Sequence, residues 1–213
     1  MASRIMHLTI ADEIIKNTDI EDKNRFRIGS LFPDACNESA HRSVTHFQTV
    51  SPLSGKITYK ISLFREKYAS YILTDDFYLG YYIHLVEDLL FRHFVYVVHS
   101  WDPFPEGNIA RLHNDYRLLN TYLTEKHSLS CDIRLPEDIK KEPVYEIYPF
   151  NEDKLITDLK NDFIPYSEGE AFFFTKKMAD EYIEFTCTKC IEEIKNLRAG
   201  LGGIDENKWA WKR

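Results

Sequence analysis

The sequence predicts an all-α fold, a multi-helix bundle around one long, apolar central helix. Three observations carry this reading. Apolar residues recur at three- and four-residue spacing along most of the chain, residues 75–100 are apolar around most of a helical circumference, and strand-like alternation is nearly missing, with 172–174 the best run and too short to matter. With 213 residues, 44% hydrophobic and 14% aromatic, the chain can bury one sizeable core, so residues 1–213 read as a single helical domain.

A first helix over 7–17 sets Leu8, Ala11, Ile14 and Ile15 on one side. A second, short element precedes the loop 29–34, Gly-Ser-Leu-Phe-Pro-Asp, where glycine and proline stop regular structure. The central helix follows over 75–100, with Thr74 as N-cap and Asp75 and Asp76 in the first turn, where carboxylates suit the positive end of the helix dipole. Ile83, Leu85, Val86, Leu89, Leu90 and Phe91 wrap its middle, and the prolines and glycine of 101–107 end it. A helix over 108–125 is expected to return antiparallel, because the connection is short. Residues 127–150 read as an irregular excursion with three prolines, and C-terminal packing helices fill 152–200, over 152–163 and 175–199, the last ended by Gly200. No repeat, low-complexity tract or Gly/Ser linker interrupts this order.

A formal net charge of -7 argues against a nucleic-acid backbone or an anionic membrane as partner, since a like-charged surface repels polyphosphate at long range. It leaves open a small phosphoester, or a phospholipid, held through metal ions. No run approaches the roughly twenty apolar residues that span a bilayer, so no transmembrane segment is expected, and residues 1–12 lack the apolar core of a signal peptide. The reading is a cytoplasmic chain. Cys36 and Cys131 are scattered, while Cys187 and Cys190 fall on the apolar stripe of Ile183, Ile191, Ile194 and Leu197 and read as buried thiols rather than half of a zinc ribbon.

Within the central helix, His84 and Asp88 stand four apart, so both side chains leave one face a turn from each other and can reach one cation. A buried His hydrogen-bonded to an acid gives the same pattern. Asp88, however, sits between Leu85 and Leu89, where a carboxylate is costly unless paired or metal-bound. His7, Asp34 and His46 lie upstream in places that bundle packing does not explain. Together the five form a sulphur-free N/O set that suits one or two catalytic zinc ions, and also accepts manganese or iron, better than calcium. Phe77, Tyr78, Tyr81 and Tyr82 can line an apolar pocket or belong to the core. His41, His99 and His127 read as surface or helix-end residues.

The order of a His in the first helix, G-S-x-x-P-D at 29–34, T-H-F at 45–47 and G-Y-Y-x-H-x-x-x-D at 80–88 resembles the zinc-dependent phospholipase C family, whose wider superfamily includes single-strand-specific zinc nucleases. The likeness covers the first half of the chain, to about residue 120. It implies an all-helical hydrolase in which Asp34, His46, His84 and Asp88 hold one zinc, with Asp88 bridging to a second ion that His7 also binds. The family's remaining ion takes a later His and an H-x-x-x-E pair. Here His93 falls on the opposite side of a regular helix from His84, and His113 is followed four residues on by Arg117, so that ion is missing or rebuilt from His113, Asp115 and Asn120. Those three equally suit interhelical hydrogen bonds.

The expected activity is metal-dependent hydrolysis of a phosphoester, phospholipase C-like, with Asp88 at the ions, Glu87 or Asp115 orienting water, and Arg25 or Arg27 contacting phosphate. Two alternatives stand beside it. An HD-type phosphohydrolase needs adjacent His-Asp, which this chain lacks, and a non-catalytic metal-binding or interaction protein needs only part of the site.

Overall fold

Besides the central helix, four helices open on a side-chain cap of the expected kind. Ser3 caps α1 (Arg4–Asn17), Asp22 caps α2 (Lys23–Gly29), Asn151 caps a later helix and Thr175 the last, each accepting a backbone N–H of the first turn. In the computed structural model, which describes residues 2–38 and 41–212, a 3-10 turn Phe32–Asp34 and the short α3 (Arg42–Thr45) follow α2. Then come β1 (Gln48–Val50) and β2 (Ile57–Tyr59), which the sequence pattern did not predict. They pair antiparallel with Gln48 opposite Tyr59, and Trp211 extends the ribbon through a bridge to Ile57. Three-residue strands give too little alternation to be read from sequence. Residues 172–174, by contrast, form no strand.

After α4 (Ile61–Lys67) and α5 (Ala69–Thr74) comes α6 (Asp76–His93), shorter than the predicted 75–100. Its N-cap is Asp75, which accepts from the Phe77 amide at 2.9 Å, and not Thr74. Thr74 closes α5 instead, its hydroxyl bonded back to the Ser70 carbonyl at 2.9 Å. A five-residue π-helical turn, Phe94–Val98, continues α6. Next are α7 (Asn108–His127), entered through Gly107 at φ 80°, two 3-10 turns within 139–146, α8 (Glu152–Asp162) and α9 (Lys176–Arg198), which Ala199 ends with Gly200 following at φ 69°. The fold is thus mostly helical, with one two-stranded sheet among the described residues.

Every residue from 77 to 91 is buried, Phe77, Tyr78, Tyr81 and Tyr82 included, which places those four aromatics in the core. α6 packs against α1, α2, α4, α5 and α9, whereas α7 lies chiefly on α1. The α2–α6 contact is the closest. A Cβ added at Gly29 would stand 2.0 Å from the Phe77 carbonyl oxygen, and one at Gly80 would stand 2.3 Å from that of Phe26. Only glycine permits backbones this near. All four cysteines are free thiols, Cys36 and Cys190 buried and Cys131 and Cys187 half-buried. Among the described residues no helix is long and apolar enough to cross a membrane.

Candidate metal centre

Two imidazoles define the site. His84, on the enclosed α6, sets Nδ1 2.7 Å from the Ser30 carbonyl oxygen, and His46, just past α3, sets Nδ1 2.8 Å from that of Arg42. A carbonyl only accepts, so each ring carries its proton on Nδ1 and presents a lone pair at Nε2. The two Nε2 atoms lie 3.0 Å apart, a separation that neutral imidazoles in this tautomer cannot bridge with a proton. Carboxylates converge on the same point, with Asp88 Oδ2 3.3 Å from His46 Nε2 and 3.9 Å from His84 Nε2, and Asp34 Oδ1 3.7 Å from His46 Nε2. Asp34 Oδ1 and Asp88 Oδ2 are buried without a hydrogen-bond partner among the described residues. Lone pairs and anionic oxygens facing one another at buried positions are what a divalent cation satisfies, and the sulphur-free donor set fits zinc.

His7 extends the cluster. Its ring stacks on His84 with centroids 4.0 Å apart, Nδ1 lies 2.5 Å from Glu87 Oε2, and Nε2 faces Asp88 Oδ1 at 3.4 Å. The Ala2 amide donates to that same Oδ1 at 2.9 Å. Potential ligand atoms of His7, Asp34 and His84, and likewise of His46, His84 and Asp88, all fall within 4.8 Å of one another. His84 therefore belongs to both groupings. Local order explains the convergence: the α2–α6 glycine contact brings Ser30 to His84, and the 3-10 turn carries Asp34 beside Arg42, 3.6 Å from its Nε.

Burial lowers the pKa of His84 to about 3, so it stays neutral and able to ligate. For Asp34, burial is outweighed by Arg42, His84 and His46, and the carboxyl is held well below its usual range. Asp88 is likewise held low, burial being overcome by the positive charge of the chain's amino group and by the hydrogen bond and charge of His7. Burial pushes Glu87 up to about 7 against the pull of His7. For His7 the desolvation is overridden by hydrogen bonds to Asp88 and Glu87, which raise it to about 10.

Of the five ligand candidates, Asp34 opens onto a cleft of about 800 Å³ whose wall includes Arg4, Arg42, Arg92, Arg117 and the aromatic Tyr59 and Trp101. Arg92 is one helical turn beyond Asp88 on α6. Its Nε donates to the Tyr59 hydroxyl at 3.3 Å and its Nη1 to that of Tyr96 at 3.0 Å, and its guanidinium lies over the rings of Tyr96 and Trp211.

Thus His7, Asp34, His46, His84 and Asp88, scattered over 82 positions of sequence, are brought together. Others expected at the site are not. Glu87 is fully buried behind His7, where it orients that ring. Asp115 accepts the amides of Phe172, Phe173 and Phe174 at 2.7, 2.8 and 2.9 Å, so it holds a loop and is withdrawn from chemistry. Those three bonds also explain why 172–174 forms no strand, since its donors are already taken. His113 is exposed on the cleft wall, outside both ligand groupings, and Asn120 accepts from the Ser3 hydroxyl at 2.9 Å.

Arg25 is bound to Asp75 and Glu142, and Arg27 to Asp12, away from the cleft. His93 packs edge-on against Trp209, His41 bonds Tyr148, His99 packs on Phe94 and His127 pairs with Glu13. The basic residues that do line the cleft were missed by sequence reading. For Arg92 a signal existed, its i+4 spacing from Asp88; for Arg42 there was only its closeness to His46. No family model matches the chain, and neither a curated protein nor a solved structure matches it.

Proposed function

We propose that this chain is a metal-dependent hydrolase of phosphate esters, using one or two divalent ions, zinc by ligand chemistry. The single observation behind this reading is the pair of Nε2 lone pairs 3.0 Å apart, each fixed by a carbonyl at Nδ1, facing unpartnered carboxylate oxygens beside a basic cleft. The order of the ligands along the chain, which resembles the zinc-dependent phospholipase C family, supports the same reading, as does their position on and around an apolar central helix. His46, His84, Asp34 and Asp88 would hold one ion, and His7 with Asp88 a second.

A bound divalent ion supplies positive charge that acidifies water and offsets charge on phosphoryl oxygens. The chain supplies the rest. Ser30 and Arg42 carbonyls fix the tautomers of His84 and His46, Glu87 fixes His7, and the arginines attract an anionic ester that the net charge of -7 would otherwise repel. In the hydrolysis, the oxygen of water bonds to phosphorus, the ester P–O bond breaks, and the departing oxygen leaves protonated as an alcohol.

The test is metal analysis of the purified protein together with hydrolysis of aryl phosphate esters with and without chelator. Bound metal with chelator-sensitive turnover is the expected result. A tight ion with no turnover of any ester would overturn the hydrolase reading in favour of a metal held for structure, which the near-complete burial of the ligands also accommodates.

A further inference from the structure

The charge of the cleft goes further than the ligand set. Asp34 and Asp88 together offset the two charges of one divalent ion. Among the described residues Arg42 has only Asp34 within ion-pair distance, at 3.6 Å, and that carboxylate is already committed. Among the described residues Arg92 has no carboxylate within ion-pair distance, although it is largely enclosed and sits between two tyrosine hydroxyls and two ring faces. Arg4, in contrast, is matched by Asp158 and Asp162. An enclosed guanidinium without a counter-anion is costly, and Arg92 together with the half-buried Arg42 leaves the cleft beside a neutralised ion with two positive charges in excess.

From this we infer, building on the hydrolase reading, that the cleft takes a phosphate monoester dianion, and that Arg92 with Arg42 grips the phosphoryl oxygens not held by the ions. A diester carries one negative charge and leaves one guanidinium uncompensated. It also carries a second organic group on the face where a monoester presents bare oxygens to the arginine fork. Tyr59 and Arg92 are joined by a hydrogen bond, and the His46 ring lies 5.6 Å from that of Tyr59, so metal ligand, tyrosine and guanidinium form one continuous wall. Trp101 and Tyr116 on the same cleft give the organic part of the ester an apolar surface.

The experiment uses metal-loaded protein, Arg92→Gln and Arg92→Lys, with metal content measured for each. Two readouts are taken: binding of inorganic phosphate by calorimetry, and kcat/KM for an aryl phosphate monoester and for a methyl diester of the same aryl alcohol. Expected are a monoester preference and, in Arg92→Gln, a loss of phosphate affinity and of monoester kcat/KM on the order of 100-fold at unchanged metal content. The diester should lose far less, and Arg92→Lys should recover part of the phosphate affinity, since it restores the charge without the fork. Diester preference, or unaltered phosphate binding in metal-loaded Arg92→Gln, overturns the inference. If no ester is hydrolysed but phosphate binding still depends on Arg92, the hydrolase reading falls and the anion site stands. If Arg92→Gln loses its metal, Arg92→Lys decides by the same phosphate titration, and wild-type affinity in a variant without the fork counts against the proposal.

Discussion

Substituting His84 by alanine puts the metal site under the sharpest strain, because this residue contributes to both ligand groupings. A buried zinc site is worth roughly 10–16 kcal/mol at pH 7, so one ligand in four represents about 2.5–4 kcal/mol, or roughly 100- to 1000-fold in Kd. The variant also strands the Ser30 carbonyl and removes the ring stacked on His7, which costs stability whether or not metal binds. Melting temperature alone therefore does not discriminate, but its response to chelator does. For the wild-type chain, removing an ion present at 1000 times its Kd costs about 4 kcal/mol, roughly 8–16 °C for a chain this size. In His84→Ala the ion would stand at only about 1–10 times its Kd, so the chelator should move the melting temperature by about 1–6 °C. Elemental analysis after dialysis and chelator competition give the content and Kd directly. A folded His84→Ala protein that keeps wild-type metal content and chelator response would refute the ligand assignment.

Other perturbations reach the same structure from different sides. Glu87→Gln can still accept from His7 Nδ1, so it changes charge more than shape, and should weaken metal binding roughly 10- to 100-fold in a competition titration. Because His7 is raised to about 10, an ion taking its Nε2 displaces a proton. Affinity at that position should rise with pH, approaching about tenfold per unit between roughly pH 7 and 9 and levelling above 10, while His84, lowered to about 3, adds nothing in that window. In the metal-free chain the same raised group stabilises the fold fully below its unfolded value, 6.5, and loses that contribution as pH climbs through about 10. Calorimetry in buffers of different ionisation heat checks the release, and no proton uptake by buffer would contradict it. Asp115→Ala, which removes the acceptor of three amides, should cost about 3 kcal/mol in denaturant unfolding and leave metal content unchanged. Gly80→Ala should lose about 1–3 kcal/mol or more and also weaken metal binding, since the clash at the Phe26 carbonyl displaces the turn that holds Ser30 against His84.

The parts of the site that sequence conveyed are those fixed by one helix. His84 and Asp88 share a turn of α6, and an aspartate among leucines is costly enough to signal a partner. His7, Asp34 and His46 were legible as misplaced polar residues, yet what makes them converge is the α2–α6 glycine contact and the carbonyls of Ser30 and Arg42, which no periodicity records. Glu87 and Asp115 misled for a shared reason. Both are buried acids, one beside Asp88 and one on the later α7, and whether a buried acid serves chemistry or backbone depends on which donors the fold brings to it: His7 in one case, the amides of 172–174 in the other. The helices with side-chain caps were placed within a few residues, apart from the start of α1 and the end of α6, where the π-helical turn takes over. The ribbon β1–β2 and the short α3, α4 and α5 lie below the length at which apolar spacing distinguishes helix from strand.

The way each imidazole is anchored also bears on how folding and metal binding are coupled. In a small zinc module the ligands have no reason to converge until the ion arrives, so the apo chain is unfolded. Here His84, His46 and His7 are each oriented through Nδ1 by a carbonyl or carboxylate, and α6 is buried from 77 to 91 by apolar neighbours that owe nothing to an ion. Within the cluster, the buried atoms without a hydrogen-bond partner among the described residues are His7 Nε2, Asp34 Oδ1 and Asp88 Oδ2, with Glu87 Oε1 behind them. Removing metal should therefore lower stability by the binding free energy and leave the helices in place. Near-native far-ultraviolet circular dichroism of the chelated protein at 25 °C is the expected result, and loss of helix on chelation would mean that the ion, not the core, holds the ligands together.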